Sequence, residues 1–135
     1  MQPVTVDWVT SRSLSSPGNA LQRIKAEVEA DVKTRNAQRP EKVHYEFLVV
    51  PGDDSSSFAV VLTRDTGALR VAFHRTPEGI AVFDRGTDAL MFEAVPIFDK
   101  KKGECRLKIG EQEYEFWQVR HMALEKLFFQ IVRTE

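Results

Sequence analysis

The chain has 135 residues, 42% hydrophobic and 29% charged, and its 19 basic and 20 acidic residues leave a formal net charge of −1. That balance excludes a general attraction to nucleic acid or an anionic membrane surface, and no stretch approaches the roughly 20 apolar residues that cross a bilayer. Cys105 is the sole cysteine, so an intrachain disulfide is excluded too. With an N-terminus that lacks a basic region followed by an apolar run, this points to a cytoplasmic protein. The length suits a single domain over residues 1–135.

In "PVTVDWV", Val4, Val6 and Trp8 alternate with Thr5 and Asp7. This predicts a short strand, at a sheet edge given Pro3, with residues 1–16 forming that strand and a polar connector. Ser16, Pro17 and Asn19 carry capping chemistry. A helix is predicted over 19–38, where Leu21, Ile24, Val28 and Val32 make one narrow stripe. Lys25–Glu29, Glu29–Lys33 and Asp31–Arg35 are i,i+4 pairs of opposite charge, and Pro40 stops the helix.

Residues 42–116 change grammar, to short apolar runs separated by turn residues. "KVHYEFLVV" ends at Pro51-Gly52, and "FAVVLTR" and "LRVAFHR" flank Asp65-Thr66-Gly67. That turn fits a loop of three or four residues. "TPEG" places Pro and Gly as a type I turn wants them. "IAVFD" and "ALMFEAVPIF" flank "RGTD", and "DKKKG" leads into "ECRLKI". A type II′ turn at Gly110-Glu111 makes the last hairpin self-consistent. Leu107 then faces Tyr114 and Cys105 faces Phe116 on one side, while Arg106 meets Glu115 and Lys108 meets Glu113 on the other.

A C-terminal helix is predicted over 117–133, with Trp117, Leu124, Leu127, Phe128 and Ile131 in one arc. The expected fold is α+β: a curved antiparallel meander of about six to eight strands, packed on one face by the N-terminal and C-terminal helices.

Candidate chemistry is sparse. His44 and Glu46 alternate out of the Tyr45/Phe47/Val49 face, and His74 alternates out of the Leu69/Val71/Phe73 face. If they met on the open face they would form an acid/base group. None of the three histidines has a second His or Cys at metal-ligand spacing, so no metal site and no cofactor is expected. Asp53 and Asp54 in "PGDDSSS" lack the spacing of a calcium loop. Lys100, Lys101 and Lys102 read as a solubilising hairpin tip, with no interleaved aromatic for a single strand of nucleic acid to stack on.

Adjacent Phe128 and Phe129 cannot both face one narrow stripe, because neighbours on a helix point about 100° apart. Phe129 and Met122, one heptad earlier, therefore form a second apolar strip. The function expected is a non-enzymatic protein-interaction module, self-associating through the C-terminal helix at Met122 and Phe129, as a homodimer or with another protein partner. The alternative is a small-molecule binder with a pocket between sheet and helices, lined by Tyr45, Phe47, Phe92 and Trp117. An enzyme using His44, Glu46 and His74 stands third.

Overall fold

A computed structural model describes residues 6–40, 42–84 and 89–131. Seven strands run in chain order across one open antiparallel sheet: β1 (Tyr45–Pro51), β2 (Ser57–Arg64), β3 (Gly67–Arg75), β4 (Ile80–Asp84), β5 (Ala89–Asp99), β6 (Glu104–Ile109) and β7 (Gln112–Tyr114). Three helices accompany it: α1 (Trp8–Ser13), α2 (Pro17–Ala37) and α3 (Phe116–Glu125), the last running on into a π-helical turn (Lys126–Gln130). The α+β meander flanked by an N-terminal and a C-terminal helix is as expected from the sequence.

Alternation along the strands builds the core. Phe47, Phe58, Val60, Leu62, Phe73 and Val82 are buried on the inner face, with Leu107 continuing it on β6. Helix α2 lays its stripe of Leu21, Ile24, Val28 and Val32 on this face. Ser16 caps the helix, its hydroxyl accepting from the Asn19 amide at 3.4 Å. Helix α3 closes the core with Phe116, Val119, Ala123 and Leu124. Arg120 bridges the two helices, its guanidinium lying 2.7 Å from Asp31 and 3.1 Å from Glu27. Asp31 therefore points to α3 and not to Arg35, and none of the three expected pairs along α2 forms; Arg23–Glu27, at 3.3 Å, is the ion pair within that helix.

The N-terminal strand is a correction. Trp8 opens a helix, because Asp7 caps it: its carboxylate accepts from the Thr10 amide at 3.1 Å and the Thr10 hydroxyl at 2.7 Å. These bonds hold the Asp7 carboxyl below its ordinary range. Val4 lies outside the described residues. Helix α1 buries none of its side chains, so the short alternation around Val6 and Trp8 had no core face to serve.

The last hairpin has the expected register, Leu107 opposite Tyr114 and Lys108 opposite Glu113, with Gly110 at φ +61°. The ladder stops at Tyr114, so the expected pairs Cys105–Phe116 and Arg106–Glu115 do not form. Instead the Gln118 side chain accepts from the Glu115 amide at 2.9 Å and starts α3 there. Between β2 and β3, Arg64 pairs with Gly67, which leaves a two-residue turn of Asp65 and Thr66, shorter than expected. Between β4 and β5, Val82 faces Phe92 and Phe83 faces Leu90, so Met91 is the extra residue of a bulge. The expected "RGTD" turn lies outside the described residues.

Candidate functional site

An aromatic groove lies between the C-terminal half of α2 and the outer side of α3. The groove there holds about 360 Å³. Trp117, His121 and Phe129 line it from one helix, Thr34, Arg35 and Gln38 from the other. Trp117 and His121 are one turn apart, with ring centroids 6.4 Å from each other. The Trp117 indole is fixed by donating its Nε1–H to Glu115 at 2.8 Å.

Arg35 forms the floor. It falls three residues after Val32, at the next position of the buried stripe, and is only 2% exposed. Its Nε and Nη2 both donate to the Phe128 carbonyl, at 3.0 and 2.9 Å. Its guanidinium also lies 5.3 Å from the Phe47 ring centroid, 5.8 Å from Tyr45 and 4.9 Å from Phe129. A cation buried with no carboxylate partner among the described residues needs such partners: a carbonyl, and the negative faces of aromatic rings.

The π turn makes this arrangement possible. Ile131 donates to the Lys126 carbonyl at 2.9 Å, five residues back, which closes the wide turn. A wider turn rotates the chain less per residue than an α-helix does. It breaks the heptad relation between Met122 and Phe129. Phe129 lines the groove with Trp117 and His121, whereas Met122, 37% exposed, is not among the lining residues. Phe128 turns into the core, 6% exposed and edge-on to Phe47 at 4.8 Å. Trp117, expected in the core arc, is 54% exposed, and Phe116 takes the core position in its place. Glu125 also lines the groove.

The other candidates disperse. Glu46 faces Thr63 at one end of β2 and His74 faces Ser57 at the other. Six residues of strand, at about 3.3 Å each, separate those ends by roughly 20 Å. His44 stands beside Glu46 in a shallow depression with Arg39 and Asp65, while His74 sets its ring edge-on to Phe83 at 5.4 Å. The three therefore do not converge, and no direct proton relay joins His74 to the other two. The four candidate ligand residues do not converge either: Phe47 is fully buried, Tyr45 packs edge-on against it, Phe92 lies opposite Val82 on the inner face, and Trp117 alone lines the groove.

In the acidic loop, Asp54 accepts from both the amide and the hydroxyl of Ser56, which holds its carboxyl below the ordinary range. Asp99 caps the lysine tip by accepting from the amides of Lys101 and Lys102. Cys105 is buried, and burial pushes its thiol up. Among the described residues, no group of three or more His, Cys, Asp or Glu is arranged to hold a metal ion, and no helix is long and apolar enough to cross a membrane.

Sequence reasoning missed Arg35, although its position on the α2 stripe was visible. A charged residue in register with Leu21, Ile24, Val28 and Val32 has to be buried or to bend away. No protein-family model matches the chain, and neither a curated protein nor a solved structure matches it.

Proposed function

We propose that the chain is a non-enzymatic protein-interaction module that self-associates through its C-terminal helix. One observation carries this reading: Phe129 and Trp117 stand 47% and 54% exposed on the same groove, beside a Phe128 that is buried. A Phe left in water forgoes roughly 1.5–3 kcal/mol of burial, which a partner surface recovers. Aromatic, Met and Arg side chains are the types enriched in such interfaces. An isologous C2 contact needs only one self-complementary patch, so the helix meets its own copy, with Met122 at the rim.

Light scattering and thermal melting of Phe129→Glu test the reading. A dimeric parent that becomes a folded monomer supports it. A parent that is monomeric at high micromolar concentration ends self-association. The groove volume also falls in the range of small-ligand pockets, which keeps a small molecule as the second reading. Stabilisation of a monomeric parent by a fragment that contacts Trp117 would favour that second reading.

A further inference from the structure

The sheet has a second surface, the face turned away from the helices. Cross-strand register places Val50, Ala59, Ala72 and Phe83 in one row on it, and Leu48, Val61 and Arg70 in the next. An antiparallel sheet with one solvated face normally alternates apolar-in with polar-out. On β6 and β7 the same face obeys that rule, with Glu104, Arg106, Lys108 and Glu113 pointing outward, while β5 between them and β4 mixes Glu93 and Asp99 with Val95 and Ile97. Outward positions on β1–β4 are mostly apolar, and Leu48 and Val50 are 41% and 44% exposed. The β6–β7 end of this face is built for water and the β1–β4 end is not.

The shape of the apolar half is specific. Ala59 and Ala72 form a low floor on β2 and β3, while Val50 on β1 and Phe83 on β4 rise on either side. Three strand spacings of about 4.8 Å put the walls roughly 14 Å apart at the backbone, and the side chains narrow this toward the ~10 Å diameter of a helix. Along β2 the floor runs from Ser57 to Val61, about 13 Å, which about nine residues of helix would span. A depression of about 560 Å³ occupies this place.

We propose that this trough binds one amphipathic α-helix of a partner protein, apolar on its buried side and acidic where it passes Arg70. The charge supports the choice. Arg70 is exposed and has no hydrogen bond or ion pair among the described residues, while Asp84, the one carboxylate lining the depression, already lies 3.9 Å from Lys126 Nζ. A carboxylate on the incoming helix supplies the missing partner.

An added strand fits less well, because the β1 edge is closed. The Asn36 side chain donates to the Phe47 carbonyl at 2.8 Å and accepts from the Phe47 amide at 3.0 Å. Arg39 donates to the Tyr45 carbonyl at 2.6 Å. Pro51 has no N–H to offer, and the opposite edge strand, β7, has three residues. A second copy fits less well too. The trough projects to roughly 190 Å², against the about 800 Å² per subunit of a stable dimer.

The test selects helix-constrained 15-residue peptides from a displayed library on the full chain, then measures binding of the enriched peptides by fluorescence anisotropy. Enriched sequences should repeat apolar residues at i, i+3, i+4 and i+7 and carry an acidic residue at the border of that stripe. Ala72→Glu, placed on the floor, should weaken them at least tenfold, and Phe129→Glu on the other surface should leave them unchanged. Arg70→Glu, at an exposed position, should reverse the acidic preference and carries the test if Ala72→Glu does not fold. Enrichment of no helical peptide, or binding indifferent to both trough variants, would overturn the proposal.

Discussion

Replacing Arg35 by Met separates two opposing effects at the centre of the fold. Met keeps most of the side-chain length and removes the buried charge, whose desolvation costs several kcal/mol. Against that stand two hydrogen bonds from a charged donor, of about 1.5–3 kcal/mol each, that share one carbonyl and so add less than their sum, and a longer one to the Tyr45 hydroxyl at 3.5 Å, while Nη1 is buried with no hydrogen-bond partner among the described residues. Three ring faces at 4.9–5.8 Å contribute further. Charge burial and charge-assisted bonding roughly cancel. What remains is the Phe128 carbonyl, left without Arg35 at the end of the helix, at a cost of about 1–3 kcal/mol. For a chain of this size each kcal/mol lowers Tm by about 4 °C, so a fall of roughly 4–12 °C is expected. Urea denaturation followed by far-UV circular dichroism gives the free energy directly. Arg35→Ala should cost more, because it adds a cavity. A Met variant as stable as the parent, or more so, would refute this accounting, and would mean that the guanidinium is a net burden to the fold.

Phe128→Ala removes a buried ring that packs edge-on against Phe47 at 4.8 Å. The expected loss in chemical denaturation is about 3–5 kcal/mol. Gly110→Val should lower the melting temperature, because Gly110 sits at φ +61°, which a β-branched residue resists. Gly79→Ala should destabilise more than a surface change of equal size, since a Cβ there would overlap the Ala94 carbonyl oxygen on β5. Cys105 is buried and its thiol pKa is raised, so Ellman's reagent at pH 8 should label it slowly in the native protein and quickly in urea.

Local pattern by itself determined most of the architecture. The α2 stripe, the meander and the Leu107–Tyr114 register follow from periods of 3.6 and 2 that one segment can display alone. The Asp7–Thr10 cap was equally local. It won over the alternation of Val6 and Trp8 because that short segment had no core to bury them in. Only the tertiary structure could decide the rest. The π turn exists where the chain wraps around Arg35, a residue more than ninety positions away in sequence from the Phe128 carbonyl that it holds. That turn moves Phe129 off the heptad shared with Met122 and onto the groove with Trp117. Glu46 and His74 share an outward face by alternation, yet strand order sets them at opposite ends of β2. The outer trough was likewise out of reach. Each of its strands reads as an ordinary apolar run, and only the pairing of Val50, Ala59, Ala72 and Phe83 across four of them puts small residues between large ones. Periodicity assigns a side chain to a face, but long-range register decides which side chains meet there.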